Sequence, residues 1–183
     1  IANADQKDAD RDGHGDVCDK DFCYVVSDAQ TCLDPNAAFA VNAGGNRAVR
    51  TGQRVPLLIW ANRQNMGIQY EWILVNKPEG SHAVIKHPVG SVTLSTPFNY
   101  HYKKGRRVEL VPDLPGDYTV ELRAKLAFAD QKYPDKRDAS ARVVLKAKGS
   151  PVDLGGGCSA AGGSSAGLGL VLLLGLGLLR RRK

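Results

Sequence analysis

Apolar residues between Phe39 and Ala147 recur at every second position, in short stretches separated by turn residues. Alternation of this period is typical of β-strands, in which successive side chains point to opposite faces of a sheet. Outside the C-terminal tail, no stretch has the apolar spacing of an amphipathic helix. The sequence therefore predicts an all-β fold. The predicted strands are 39–41, 55–61, 69–75, 83–85, 91–94, 108–111, 118–124 and 141–145.

Two aromatic residues indicate how these strands pack. Trp72 lies in the middle of the predicted strand 69–75 with apolar neighbours on the same face, which is typical of a tryptophan at the centre of a core. Tyr118 starts a strand directly after the turn 112–117, the setting of a tyrosine corner whose hydroxyl ties the incoming loop. Short strands in this number, separated by frequent turns, favour an antiparallel, Ig-like sandwich.

Two short motifs add a family resemblance. The segments 70–72 (Tyr-Glu-Trp) and 77–81 (Lys-Pro-Glu-Gly-Ser), taken with the tyrosine corner, resemble the PKD-type Ig-like domains of bacterial surface proteins. The resemblance covers 39–147, and it implies an Ig-like (PKD-type) antiparallel sandwich without catalytic activity. We assign this sandwich to residues 37–148.

Charge is distributed unevenly along the chain. Residues 1–36 hold nine Asp and three Lys or Arg, a net charge of −6, whereas 37–157 carry +8 and 180–183 carry +4. A net positive charge normally suggests a nucleic acid or an acidic membrane as partner. Here the total of +6 is the sum of an acidic head, a mildly basic body and a basic tail. We therefore expect no nucleic acid partner.

The acidic head contains a loop with the spacing of a calcium site. Residues 8–19 place aspartates at loop positions 1, 3, 5, 9 and 12, and Gly13 stands at position 6, where an EF-type loop turns sharply. Crowded carboxylates repel one another unless a cation neutralises them. A solvated acidic linker is the alternative, but it does not require this order of Asp, Gly and Cys18. The predicted calcium ligands are the side chains of Asp8, Asp10, Asp12, Asp16 and Asp19 and the backbone carbonyl of His14.

The same loop carries a second resemblance. Residues 3–19 look like a thrombospondin type 3 repeat, a family whose repeats occur in series, bind Ca²⁺ and are tied by disulfides. Position 12 is Asp19 rather than the Glu of an EF-hand, and no amphipathic helix flanks the loop, so a calmodulin-type switch is not expected. We assign 1–36 to this calcium-binding segment, which has almost nothing apolar to bury without the ion. Residues 1–7 resemble the end of a preceding repeat, so we expect further sequence upstream.

The cysteines fit an exported protein. Setting aside Cys158 in the tail leaves three cysteines, so one of them has no partner within the chain. In thrombospondin type 3 repeats the Cys that precedes an Asp pairs with a neighbouring repeat, which implies a Cys23–Cys32 disulfide and an upstream partner for Cys18. Cys18–Cys23 and Cys18–Cys32 are the alternatives. The spacing does not fit a tetrathiolate zinc site.

The C-terminal tail has three parts. A Gly-rich linker at 149–157 leads to Cys158, the 20 residues from 160 to 179 carry no charge, and 180–183 are all basic. A helix of that length spans about 30 Å, one hydrocarbon core, and a basic end stays on the cytoplasmic side. The pattern at 155–183 closely resembles the MYXO-CTERM sorting signal of myxobacterial surface proteins, which implies cleavage near Cys158 with lipid on that residue. An uncut transmembrane anchor, in a protein that faces the periplasm, is the alternative.

Catalytic motifs are absent from the middle of the chain. His82, His87 and His101 have no metal-ligand spacing, no serine stands in a Gly-x-Ser-x-Gly elbow, and Glu71 and Glu79 are expected to face solvent. The basic and aromatic segment 101–107 has the composition of a polyanion-binding site, but a solvated hairpin tip is the favoured interpretation. We also expect 130–138 to form an exposed loop.

The four parts predict a non-catalytic, surface-anchored, calcium-binding adhesion or interaction module. Its expected partner is a protein or polysaccharide at the cell surface, and its expected location is the cell surface or outer membrane after export. The membrane is reached through the hydrophobic helix at 158–183 or through a lipid on Cys158. The alternative function is the anchor and spacer region of a secreted hydrolase whose catalytic domain lies upstream.

Overall fold

The computed structural model describes residues 8, 13–16, 18–19, 22–27, 32–96, 101–102 and 107–154. Within these residues the regular elements are all β-strands, which confirms the all-β prediction. The strands are β1 (Val41–Asn42), β2 (Arg47–Arg50), β3 (Val55–Pro56), β4 (Ile59–Ala61), β5 (Ile68–Asn76), β6 (Ile85–Lys86), β7 (Val89–Val92), β8 (His101–Tyr102), β9 (Glu109–Leu110), β10 (Gly116–Leu126) and β11 (Asp138–Lys148).

The strands form three sheets around a shared core. A five-stranded sheet has the order β2-β11-β10-β5-β7, and two three-stranded sheets have the orders β1-β4-β8 and β3-β9-β6. The long antiparallel pair β10–β11 runs from Gly116 opposite Ala147 to Lys125 opposite Asp138. These sheets contribute their inward side chains to one apolar cluster, which extends from Phe39 to Ala147 in the sequence.

The edge strand β2 corrects the prediction of a purely antiparallel sandwich. It pairs with β11 in parallel, from Arg47 opposite Leu145 to Arg50 opposite Lys148. The sequence pattern did not predict β2, because Val49 is its only buried apolar residue and the other three face outwards or lie part-buried. A strand with one inward residue gives no alternation to recognise.

Alternation along the long strands places the core as predicted. On β5 the buried positions alternate with exposed ones, and Trp72 is 2% exposed, which confirms its central position. Complete burial of an apolar side chain of this size class contributes about 1.5–3 kcal/mol. The inward residues of the five-stranded sheet are Val49, Ile68, Tyr70, Trp72, Val92, Tyr118, Val120, Leu122, Ala124, Leu126, Val143, Leu145 and Ala147.

The predicted strand 55–61 is divided into two strands in different sheets. β3 pairs with β9 and β4 pairs with β1 and β8, with a break at Leu57 and Leu58. Pro56 has no backbone N–H to extend a ladder, although the next N–H, of Leu57, still donates to the Val108 carbonyl at 3.0 Å. The chain therefore crosses from one small sheet to the other without leaving the core.

The tyrosine corner is confirmed. The Tyr118 hydroxyl lies 2.9 Å from both Asp113 Oδ1 and the Leu114 carbonyl oxygen, and it accepts the Leu114 N–H at 3.1 Å. Tyr118 itself is fully buried. The hydroxyl therefore ties the loop before β10 to the start of that strand.

Two segments predicted to be solvated contain buried residues instead. His101 and Tyr102 form β8, and Tyr102 is fully buried, with its hydroxyl accepting the Met66 N–H at 3.0 Å and donating to the Arg63 carbonyl at 2.8 Å. Residues 103–106 of that segment lie outside the described residues. In the loop 130–138, Asp130 is buried, and a bond from Arg63 Nε to its carboxylate compensates that burial. Both residues are buried with polar partners that are distant in sequence. The pattern of neighbouring residues in the sequence does not reveal such partners.

Candidate functional site

The predicted calcium loop is closed by a side chain at its first position. Asp8 Oδ2 accepts the Gly13 N–H at 3.1 Å. Gly13 has φ +93°, and a Cβ added there would meet nothing within 4 Å, so the backbone conformation alone favours glycine. The turn predicted at loop position 6 is therefore present, and it is fastened to loop position 1.

The second carboxylate oxygen of Asp8 is relevant to whether the loop can bind a cation. Asp8 Oδ1 is buried and has no hydrogen-bond partner among the described residues. A carboxylate oxygen shielded from water is costly unless a donor or a cation compensates it. The oxygen chemistry of this loop is the kind that Ca²⁺ selects. Asp8 Oδ1 is therefore an oxygen of the kind that Ca²⁺ binds.

The remaining predicted ligands are only partly visible. Asp10 and Asp12 lie outside the described residues, whereas His14, Asp16 and Asp19 lie within them. The described part of the chain contains no group of three or more His, Cys, Asp or Glu side chains placed to hold a metal ion. The full ligand set thus stays a prediction.

A disulfide hairpin follows the loop. Cys23 and Cys32 are bonded, with their Cα atoms 5.5 Å apart, as the resemblance implied. Next to the bond, Tyr24 and Leu33 exchange backbone hydrogen bonds of 3.0 and 2.8 Å. Cys18 is exposed and takes no part in a disulfide within the described chain, so its predicted upstream partner stays a prediction.

Side chains of the sandwich hold the chain that leaves this hairpin. The carbonyls of residues 34–38 accept hydrogen bonds from Asn62, Arg63, Lys132 and Tyr133, a contact we call the carbonyl clamp. Asn62 is buried, and its amide nitrogen lies 2.7 Å from the Asp34 carbonyl and 2.8 Å from that of Ala38. Its amide oxygen accepts the Ala40 N–H at 2.8 Å.

The second half of the carbonyl clamp centres on Arg63. Its guanidinium donates to the Ala37 carbonyl at 2.8 Å and to the Pro35 carbonyl at 3.2 Å, and it also bonds to Asp130. The hydrogen bond from Arg63 is the main reason that the pKa of Asp130 is lowered. Lys132 Nζ and the Tyr133 hydroxyl both reach the Asn36 carbonyl at 3.0 Å. Residues 34–38 are thereby fastened directly to the sandwich.

A buried polar network in the sandwich is structural in its chemistry. Ser81 is buried, and its hydroxyl bonds to Asp113 Oδ1, while the His82 N–H donates to Asp113 Oδ2 at 2.6 Å. An activated serine needs a base that receives its proton near neutral pH. The pKa of Asp113 is lowered to about 2, so its carboxylate is a poor proton acceptor. Glu71 and Glu79 are exposed, as predicted.

The tail predicted to hold the sorting signal lies beyond the described part of the chain. Cys158 and the rest of 155–183 lie outside the described residues. Among the residues described, none belongs to a helix of the length and apolar character that crossing a membrane requires.

These features define an all-β domain of sandwich type with an attached disulfide hairpin. No protein-family model matches the chain, and no curated protein matches its sequence. Among solved structures, the PKD domain of human KIAA0319 is similar over 65% of this chain and 87% of that one, with 16% identity and a TM-score of 0.37. A match at this level carries no conclusion about function.

Proposed function

We propose that this chain is a non-catalytic, surface-anchored, calcium-binding module for adhesion or interaction. The observation that carries the proposal is the closure of the loop by Asp8, which bonds to Gly13 through one carboxylate oxygen and buries the other without a hydrogen bond to any described residue. A bound Ca²⁺ compensates that oxygen and screens the surrounding aspartates. The proposed ligands are Asp8, Asp10, Asp12, Asp16 and Asp19, with the His14 carbonyl.

The attachment to the sandwich gives calcium binding a mechanical consequence. Asp19 lies four positions before the disulfide hairpin, and the carbonyl clamp begins directly after it. Both connections restrict the chain between loop and sandwich. Calcium that orders the loop therefore sets the angle at which the sandwich is presented to a partner.

The rest of the proposal concerns location and partner. We place the protein at the cell surface or outer membrane, held through Cys158 or through the apolar stretch 160–179. A disulfide near the calcium loop suits an oxidising compartment. The partner class is a surface protein or polysaccharide, which the sandwich contacts without chemical change.

Calorimetric titration of the oxidised protein with Ca²⁺ tests the metal site. We expect saturable heat from the unaltered chain and its loss in Asp8→Asn, because the substitution removes the charge at the buried oxygen. Asp135→Asn removes a carboxylate from a loop of the sandwich and is the matched control, with unchanged heat expected. No heat from the unaltered chain, or equal heat from Asp8→Asn, contradicts the proposed site.

A further inference from the structure

One face of the sandwich combines exposed apolar side chains with the exit of the chain. Val84, Val152 and Leu154 are 67%, 39% and 42% exposed, although all are apolar. They line a common depression of about 920 Å³ together with Leu114. Val152 is attached to the loop before β10, because its N–H donates to the Asp113 carbonyl at 2.8 Å. We call this face of the sandwich the tether face.

Basic side chains border the apolar part of the tether face. Arg54 and Lys86 line this depression and also a neighbouring one of about 510 Å³, where His87 and Arg107 join them. Arg54 Nη1 and Lys86 Nζ form ion pairs with the same oxygen of the buried Glu109, Oε1, at 3.6 and 3.5 Å. Their own side chains remain 74% and 52% exposed, so their charge is available to a partner.

The tether face exposes fewer acidic than basic side chains. Asp113 also lines the depression, but it is buried and its oxygens accept hydrogen bonds from Ser81, His82 and Tyr118. Asp153 is exposed there. The outer layer therefore presents the cations Arg54, Lys86 and Arg107 against one carboxylate, beside apolar side chains.

The length of the following chain restricts where this face lies. Only three glycines separate Leu154 from Cys158. Fully extended, that connection spans at most about 14 Å. If Cys158 is held at a membrane, Leu154 lies within that distance of the lipid.

The geometry points to the tether face as a surface that rests on anionic phospholipid headgroups. Apolar side chains enter the interface while neighbouring cations meet the headgroup charge, as in other peripheral contacts. This inference rests on the proposed anchoring, which supplies the short tether. It adds an orientation: β10 begins two residues after Leu114 and extends for 11 residues to Leu126, so the end of the sandwich that carries Phe128 points away from the lipid.

Site-specific quenching in vesicles tests the orientation. The full chain carries Cys18→Ser and Cys158→Ser, so that a single reporter cysteine takes a bimane label and the apolar stretch 160–179 serves as the anchor. Val84→Cys reports on the tether face, and Phe128→Cys is the control, because Phe128 is 75% exposed and follows the end of β10 that is remote from Leu114. The vesicles are phosphatidylcholine with or without phosphatidylglycerol, and they contain a lipid with a spin label in its headgroup.

We expect chain that floats with phosphatidylglycerol vesicles to show quenching at position 84 and little at position 128. Equal quenching at the two positions in floated chain overturns the inference and leaves the anchoring intact. Failure to float with either vesicle overturns anchoring through the stretch 160–179 and the contact that depends on it.

A charge variant tests the role of the cations. Lys86→Gln should lower the ratio of quenched to unquenched label at position 84 about fivefold, the effect of one cation at an anionic surface. Lys136→Gln removes an exposed cation from the loop 130–138, which lines neither depression, and should leave the ratio unchanged. Equal effects of the two substitutions contradict a specific contact through the tether face.

Discussion

At the scale of single residues, Asp113 connects the loop before β10 to the loop before β6. Its carboxylate accepts hydrogen bonds from the Ser81 and Tyr118 hydroxyls and from the backbone N–H groups of His82 and Leu114. Burial by itself raises the pKa of this carboxyl, but the hydrogen bonds outweigh burial and lower the pKa to about 2. Charge on Asp113 therefore stabilises the folded state.

The lowered pKa predicts how stability depends on pH. The contribution of Asp113 is present above its ordinary pKa of 3.8 and is lost as pH falls towards about 2, since the unfolded chain takes up the proton first. Asp113→Asn should lower the unfolding free energy at neutral pH by about 1–3 kcal/mol, and its stability should change less between these pH values. Urea unfolding at several pH values measures this.

The matched control for that prediction is Asp117→Asn, which removes an exposed carboxylate from β10. Both variants lose one negative charge, so a general charge effect acts on them alike. If the two variants have the same acid dependence as the unaltered protein, the hydrogen bonds to Asp113 do not govern acid stability.

Residues differ in how far the sequence reveals their roles. The positions of Trp72 and Tyr118 were predictable because strand alternation and an adjacent turn define them locally. Asn62 and Arg63 were not, since their hydrogen-bond partners within 34–40 lie 22 to 28 residues earlier in the chain. The turn at Gly13 was predictable from loop spacing, but the buried oxygen of Asp8 depends on folded geometry.

At the scale of elements, strand length determines what the sequence reveals. β5, β10 and β11 have nine to eleven residues, and each was predicted with its ends a few residues short. β2 and β8 are not predicted, because each contains only one buried residue and so has no apolar alternation. β3 and β4 are separate strands because they pair with different partner strands. The apolar pattern within one strand does not show which strand it pairs with.

The carbonyl clamp gives a prediction at this scale. Asn62→Ala removes the amide oxygen that accepts the Ala40 N–H. It also removes the amide nitrogen that donates to the carbonyls of Asp34 and Ala38. Unpaired buried groups of this kind cost about 1–3 kcal/mol, so stability should fall by about that much. Amide hydrogen exchange should also become faster at 34–40, because the chain there loses its attachment. Exchange measured by mass spectrometry, beside a urea titration, checks both.

Asn76→Ala is the control for the carbonyl clamp, because Asn76 is an exposed residue at the end of β5. We expect it to leave exchange at 34–40 unchanged. Equal protection of that segment in Asn62→Ala and in the unaltered protein means that other contacts hold the calcium segment to the sandwich.

At the scale of the whole molecule, the two parts of the chain depend on different interactions. The apolar cluster that stabilises the sandwich begins at Phe39 and contains neither Cys23 nor Leu33, although both are buried. The segment before the disulfide has few apolar groups and many carboxylates. Its order should therefore depend on a cation, whereas that of the sandwich depends on apolar burial.

This difference predicts the response to removal of calcium. A chelator should increase proteolysis within residues 5–23, because the carboxylates repel one another once the ion is removed. The tryptophan fluorescence, from Trp60 and Trp72 in the sandwich, should stay constant, since the sandwich keeps its own core. Asp8→Asn should show the increased proteolysis even with calcium present. Identical cleavage of the unaltered protein with and without chelator means that calcium does not order the segment, and a change in tryptophan fluorescence means that the two parts do not fold independently.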